Sequence, residues 1–384
     1  MPHLEREERE RERNRERGAG QEKRSSAAAL VNRLLVALLL LLLCLLLHSA
    51  LLRGNSVPTE PHRSLETPLR HDTVIPVLLC AAEERLGAAM ATINSIHSNT
   101  DADVFFYIVT LHDAVKLTRQ YIQKTKLKHI KYKILEFNPM VLKGKVNPDS
   151  ARPELLHPLN FVRFYLPLLD INHKKLIYVD DDVIVQGDIR DLFNVKLGPG
   201  HAAAFASDCD LAHSHESVRS IGLQTTYMGF LDYRKQEVRD LGINPNECTF
   251  NPGVFVADLD EWKRQTITKE LEKWLRENYR HNLYSSALVG GVATPPMLIV
   301  FHDRYTQLEP QWHVRHLGFS PGSYYAENYL HGAQLLHWNG PFKPWTSPSV
   351  HSELWERWFV PDPSRRFRVV RPKEGEEGEE EEDG

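Results

Sequence analysis

Residues 176–188 read LIYVDDDVIVQGD: an apolar run broken by three adjacent carboxylates, Asp180, Asp181 and Asp182, and then resumed. Like charges this close repel one another, so such a cluster must be open to water or neutralised by a cation. The flanking residues predict a buried strand, and in an open α/β sheet the carboxyl end of a strand is where ligands bind. If the strand continues through the acids, Asp180 and Asp182 point to one side and Asp181 to the other. Two carboxylates at i and i+2 can then grip one hard divalent cation. A surface turn rich in Asp is the plain alternative, since acidic residues commonly punctuate strand ends.

The residues before the cluster narrow the fold class. VIPVLLCAA at 74–82 reads as a buried strand, and Leu86, Ala89, Met90, Ile93 and Ile96 follow at helical spacing. Strand character returns in VFFYIVT at 104–110, a helical stretch covers 113–125, and KYKILEF at 131–137 is strand again. This alternation predicts a parallel sheet with crossover helices. HPLNFVRFYLPLLD at 157–170 reads as helical until Pro167. Beyond the cluster, 202–206 and 250–262 suggest further strands and 263–280 an amphipathic helix, while the Gly-, Pro-, His- and Trp-rich stretch 285–350 predicts loops closing over a site. No GxGxxG follows the first strand, which argues against a dinucleotide dehydrogenase.

With 42% hydrophobic residues the chain can build a core, but its net charge of −4 hides an uneven distribution. Residues 1–26 mix Arg and Glu without a hydrophobic pattern, and EGEEGEEEEDG at 374–384 predicts a disordered acidic tail. No basic stripe suggests nucleic-acid binding. The 19 residues 34–52, LLVALLLLLLCLLLHSALL, would reach about 28 Å as a helix. A cleaved signal peptide is the alternative. Arg24 and Arg33 precede the run and only Arg53 follows closely, so the positive-inside tendency predicts a single-pass type II anchor. The expected organisation is a cytosolic tail at 1–33, an anchor at 34–52, a Pro-containing stem at 53–72, a lumenal domain at 73–362 and a tail at 363–384. Of Cys44, Cys80, Cys209 and Cys248 the first lies in the apolar run, so the other three allow one bridge and leave one thiol.

HWNGPFKPW at 337–345 offers a His able to ligate a metal, a Gly that lets backbone approach closely and a Lys six residues after the His. Those types suit a metal-bound pyrophosphate. Together with YVDDDVIVQGD at 178–188, FNPGV at 250–254, Arg163 and the opening strand–helix unit at 75–96, this segment resembles glycosyltransferase family 8. The resemblance spans about 74–346, and within the family it is to the vertebrate glycosyltransferase 8 domain-containing group, type 1 ahead of type 2. It implies the GT-A nucleotide-sugar transferase fold, a Rossmann-like mixed sheet flanked by helices, in an α/β protein of the Golgi or secretory-pathway membrane. It also implies a retaining transfer of a hexose from a UDP-sugar, with Mn²⁺ held by Asp180, Asp182 and His337. Gly340 and Lys343 would hold the pyrophosphate, Ala81, Ala82, Glu83 and Arg85 the uridine, and Asp181 the ribose. Arg163 and Asn251 would lie near the donor sugar or its phosphate.

The chain departs from that pattern in one place. Many family members carry an Asp-Gln pair in a helix after the FNxGV strand, where this chain has GGVATPPMLIVF at 290–301. Thr294, Pro295 and Pro296 cannot replace a carboxylate. Asp208, Asp303 and Glu309 are the candidates for that role, and Arg163 and Asp208 are the residues assigned to catalysis. Same-face attack by the acceptor is the expected route to retention, since no carboxylate clearly occupies a nucleophile position. Two functions stay open: an active Mn²⁺-dependent transferase acting on an unidentified glycan, protein or lipid acceptor, and a membrane-anchored UDP- or UDP-sugar-binding protein that has lost transfer.

Overall fold

The computed structural model describes residues 74–146, 156–209, 225–284, 292–319 and 325–371. All belong to the unit His71–Gly384; the preceding unit, Met1–Arg70, lies outside the described residues, as do the boundaries expected at 33, 52 and 72. Strand β1 (Ile75–Cys80) leads through a 3-10 helix into α1 (Leu86–Ser98), then come β2 (Val104–Thr110), α2 (Val115–Gln123) and β3 (Lys131–Glu136). The second half supplies β4 (Lys175–Val179), β5 (Val183–Val185), β6 (Ala203–Ser207), β7 (Phe250–Asp258), α3 (Ile267–His281), α4 (Thr294–Phe301), β8 (Thr306–Gln307) and β9 (Leu335–His337).

Seven strands form one sheet in the order β3-β2-β1-β4-β7-β6-β8, and β5 pairs with β9 in a second. Only β7 runs against its neighbours in the large sheet, antiparallel to both β4 and β6. Strands covered on both faces read as unbroken apolar runs, which is why IPVLLC and KLIYV are strands here. Alternate residues divide between two cores. Leu78, Tyr107, Tyr178 and Phe255 face one way, packed with Leu271 and Leu275 of α3 and Leu298 of α4. Val77, Leu79, Ile108 and Val179 face the other, with Met90 and Ile93 of α1. Every residue of α4 from Pro295 to Phe301 is buried, as expected of a helix that is apolar all round. At the sheet edge β3 exposes Lys131, a charge that discourages further strand pairing.

Several expectations are corrected. The run 157–170 forms two 3-10 helices, Pro158–Phe164 and Leu166–Leu168, each with a proline near its start. The stretch 285–350 is not all loop, since α4, β8 and β9 lie within it. Residues 363–371 are not free tail: Phe367 is buried against Trp345, Trp355 and Phe359. The single-pass anchor and Golgi location are not upheld. No helix among the described residues is long and apolar enough to cross a membrane, nothing places the chain in the Golgi, and residues 34–52 lie outside the described residues. Cys209 and Cys248 are bridged and Cys80 is free, in keeping with the cysteine count.

Candidate functional site

β1 and β4 are parallel neighbours, and β7 runs back along β4, so the end of β1, the end of β4 and the start of β7 meet at one edge of the sheet. That register brings together Ala81–Arg85, the acidic triple and Phe250–Gly253. The triple is a turn rather than a continuing strand. β4 stops at Val179, the Asp180 amide donates to the Gly253 carbonyl at 2.7 Å, and the chain then leaves the large sheet to form β5. β5 lies antiparallel to β9 with Val183 opposite His337, and the Trp338 amide donates to the Asp182 carbonyl at 3.0 Å. This second sheet brings His337 to the acids across a sequence separation of 155 from Asp182.

Asp180, Asp182 and His337 each turn one ligand atom inward, and the three atoms lie within 4.8 Å of one another. His337 Nε2 is 3.0 Å from Asp182 Oδ1 and 4.0 Å from Asp180 Oδ2. Its Nδ1 is hydrogen-bonded to His313 Nε2 at 2.9 Å, which fixes the ring with Nε2 aimed at the carboxylates. Gly253 makes room: a Cβ there would fall 2.4 Å from His337 Cε1 and 2.7 Å from Asp180 Oδ2. Asp180 is steadied by its other oxygen, which accepts from Arg163 Nη2 and the Tyr178 hydroxyl, both at 3.0 Å. Arg163 also donates to the Pro252 carbonyl at 2.7 Å and stacks over the Tyr178 ring. Two hard oxygens and an imidazole nitrogen, all oriented before any ion arrives, are a donor set that fits a divalent cation of the Mn²⁺ type.

Cations flank the acids. Lys343 pairs with Asp182, and Arg85 pairs with Asp181 and reaches Asp182 at 3.2 Å. Burial alone would raise the Asp182 carboxyl, but Lys343, His337 and Arg85 together hold it well below the usual carboxylate range. Asp181 is pushed the other way by burial and by the two neighbouring carboxylates, against the pull of Arg85. Asp182 thus carries charge where a cation would sit. Lys343 also donates to the Trp338 carbonyl at 2.7 Å, and Gly340 lets the loop close, because a Cβ there would lie 2.2 Å from the Gly318 carbonyl oxygen. Arg85 lies with its guanidinium 5.3 Å from the centre of the Trp345 ring. Ala81 and Ala82 are buried at the end of β1, with the Ala81 carbonyl accepting from Thr110 at 2.7 Å, while Glu83 pairs outward with Arg366.

Beside the three ligands lies a buried polar group that the sequence reading largely missed. Asp208, just after β6, is buried beside Asn251 and Thr225; burial pushes its carboxyl up to about 6 against the attraction of Arg315. Asn251 in turn accepts from the Gly253 amide at 2.8 Å. His316 contacts Thr225 and Arg315, and burial beside Arg315 pushes it down to about 3. His313, Arg315 and His316 come from the string HVRH, whose density of polar rings in an apolar stretch was the available signal. Of the three residues considered for the missing carboxylate, only Asp208 joins this group. Asp303 instead sits in the separate exposed cluster with Glu247 and His302.

The match to the Glycosyl transferase family 8 model runs over residues 76–348. The chain belongs to glycosyltransferase family 8. It is 57% identical over 327 residues to glycosyltransferase 8 domain-containing protein 2 of Bos taurus, covering 85% of this chain and 93% of that one. To protein 1 of Homo sapiens it is 47% identical over 331 residues, covering 85% and 89%. The vertebrate group is therefore the expected one, with identity higher to the type 2 relative than to the type 1 relative. Among solved structures, the galactosyltransferase LgtC in complex with donor and acceptor sugar analogues is 15% identical, with a TM-score of 0.52 over 74% of this chain and 95% of that one. The bifunctional glycosyltransferase WbbM reaches a TM-score of 0.54 at 18% identity, covering 76% of this chain and 50% of that one. These likenesses show a GT-A-type α/β fold, and family membership supports a role in glycosyl transfer. The family 8 match ends at residue 348, short of the C-terminal segment that packs against Trp345.

Proposed function

We propose that this family 8 chain is a retaining, Mn²⁺-dependent hexosyltransferase that takes its sugar from a UDP-sugar. The observation that carries the reading is the convergence of Asp180, Asp182 and His337 within 4.8 Å, bordered by Lys343 and Arg85, at the carboxyl edge of the sheet. A bound cation would neutralise negative charge developing on the leaving diphosphate. Lys343 supplies a second positive charge on the same side, and its pairing with Asp182 keeps it at the site. Ala81, Ala82, Glu83 and Arg85 form the wall for the nucleoside, with Asp181 toward its ribose. Arg163 orients Asp180, and Asn251 and Asp208 line the place where the hexose would sit. Among the described residues Asp208 is the carboxylate there, and its place beside Asn251 and Thr225 suits it to orienting a sugar hydroxyl. Attack by the acceptor on the same face of the sugar fits a site where, among the described residues, no second free carboxylate stands beside Asp208.

The test is turnover by the purified chain across single UDP-sugars with Mn²⁺. Asp180→Ala and Asp182→Ala are each expected to lower transfer at least a hundredfold while the far-ultraviolet spectrum is kept. Full activity in either variant would remove the basis of the reading. A second reading, a UDP- or UDP-sugar-binding protein without transfer, is favoured by Thr294, Pro295 and Pro296 at the start of α4, where no carboxylate stands. Saturable UDP binding with Mn²⁺ and no product from any donor selects that reading.

A further inference from the structure

The segment after the family match crosses both halves of the candidate nucleotide site. The Asn94 side chain donates to the Trp358 carbonyl at 2.8 Å and the Tyr121 hydroxyl to the Val360 carbonyl at 2.6 Å, so α1 and α2 both hold the chain as it enters. Asp362 then folds it back: its carboxylate accepts the backbone amides of Ser364, Arg366 and Phe367 at 2.8 to 2.9 Å. The turned-back portion lies on the loop after β1. Arg366 pairs with Glu83, and the Phe367 ring sits directly on Gly87, where a Cβ would come within 2.1 Å of it. The next residues run along the 343–346 segment. The Val370 amide donates to the Trp345 carbonyl at 2.9 Å, and Arg371 donates to the carbonyls of Pro344 at 2.7 Å and Thr346 at 3.3 Å.

The rings connect these contacts to the acids. Trp345 lies 5.6 Å from Trp355 and 5.8 Å from Phe367, ring centre to ring centre, and the Arg85 guanidinium stands 5.3 Å from the centre of the same ring. Arg85 is a flexible side chain with both Asp181 and Asp182 as partners, so its position depends on what lies behind it. A guanidinium set against an aromatic face loses less freedom when it engages a ligand than one in open water. We propose that residues 352–371 form a clamp that holds loop 81–87 and segment 343–346 in their relative positions. Phe367 is the positioning residue that acts through Trp345 on Arg85 to set the affinity for a nucleoside diphosphate. The proposal rests on the reading of Arg85 and Lys343 as donor contacts.

The test uses the full chain with UDP and Mn²⁺ as the probe. In Phe367→Ala, amide hydrogen exchange of residues 81–87 and 343–346 in the unliganded protein is expected to speed up on the order of tenfold. UDP affinity is expected to fall roughly five- to tenfold. If transfer is measured, the donor KM rises by a similar factor while kcat stays within about twofold, and Phe367→Tyr, which keeps the ring, restores both values. Arg371→Ala, on a partly exposed side chain, cuts the carbonyl contacts without opening the core and is expected to speed exchange in 343–346. Unchanged exchange in both variants overturns the clamp, and faster exchange with undiminished UDP affinity overturns its role in binding. A wild-type chain that takes up no UDP overturns the donor-site reading, and the positioning claim falls with it.

Discussion

His313 is the residue with the largest leverage for its distance from any ligand. Its Nε2 lies 2.9 Å from His337 Nδ1, and burial together with His337, Arg315 and His316 holds its pKa well below the ordinary imidazole value, so it stays neutral and can accept. His313→Ala is expected to weaken Mn²⁺ binding about 10- to 100-fold, measured by metal titration, with the fold retained. Asp208 acts in the opposite way, as a carboxyl whose ionisation is opposed by its surroundings. Its folded pKa, about 6, is above the ordinary 3.8, so the stability it contributes is full below about pH 4 and is lost as pH rises through 6. Asp208→Asn, which cannot ionise, is expected to be more stable than wild type at pH 8 by on the order of 2 kcal/mol, with the difference vanishing by pH 4. Thermal midpoints of the two proteins across that range check the sign. Transfer should fall in the same variant if Asp208 orients the sugar.

At the scale of elements, two connections decide the site. The β5–β9 pair delivers His337 to the acids, and the Cys209–Cys248 bridge ties the chain leaving β6 to the chain entering β7. The bridge closes a separation of 39 residues, and Cys209 adjoins Asp208. Replacing both cysteines with serine is expected to cost about 3–4 kcal/mol, read from denaturant unfolding without reductant. An unchanged midpoint would show that β6 and β7 hold the loop unaided. β1, β2 and β4 were legible because each apolar run reports its own burial. β5 and β9 have three residues each and only a partner's register makes them strands. α4 was read as loop because a helix apolar all round shows no periodicity, and two prolines at its start look like a break although that position tolerates them.

For the molecule as a whole, ligand binding and folding should be linked. At a hundredfold excess over Kd, UDP with Mn²⁺ is expected to stabilise the native state by about 2.7 kcal/mol, seen as a rise in melting temperature. Chelation of the metal should remove most of that rise, because Asp180, Asp182 and His337 are the residues that would couple the two ligands. No shift with UDP, with or without metal, would count against the donor site. The segment through residue 371 belongs to this folded body, so a chain shortened at 362 is expected to lose both the Phe367 contact and part of the UDP response.

What the amino-acid order determined by itself was local: the strand–helix alternation to β4, the placing of acids at a strand end, the one-bridge cysteine arithmetic and the motif order that marks family 8. Those properties are written in burial patterns a few residues long. Tertiary structure decided which of the three acids turn toward His337, that Gly253 leaves space for them, that His313 backs His337, and that 363–371 is packed. The meeting of the acids with His337 depends on the register of β5 against β9, more than a hundred residues apart in the chain, where a shift of one residue would turn every side chain to the opposite face.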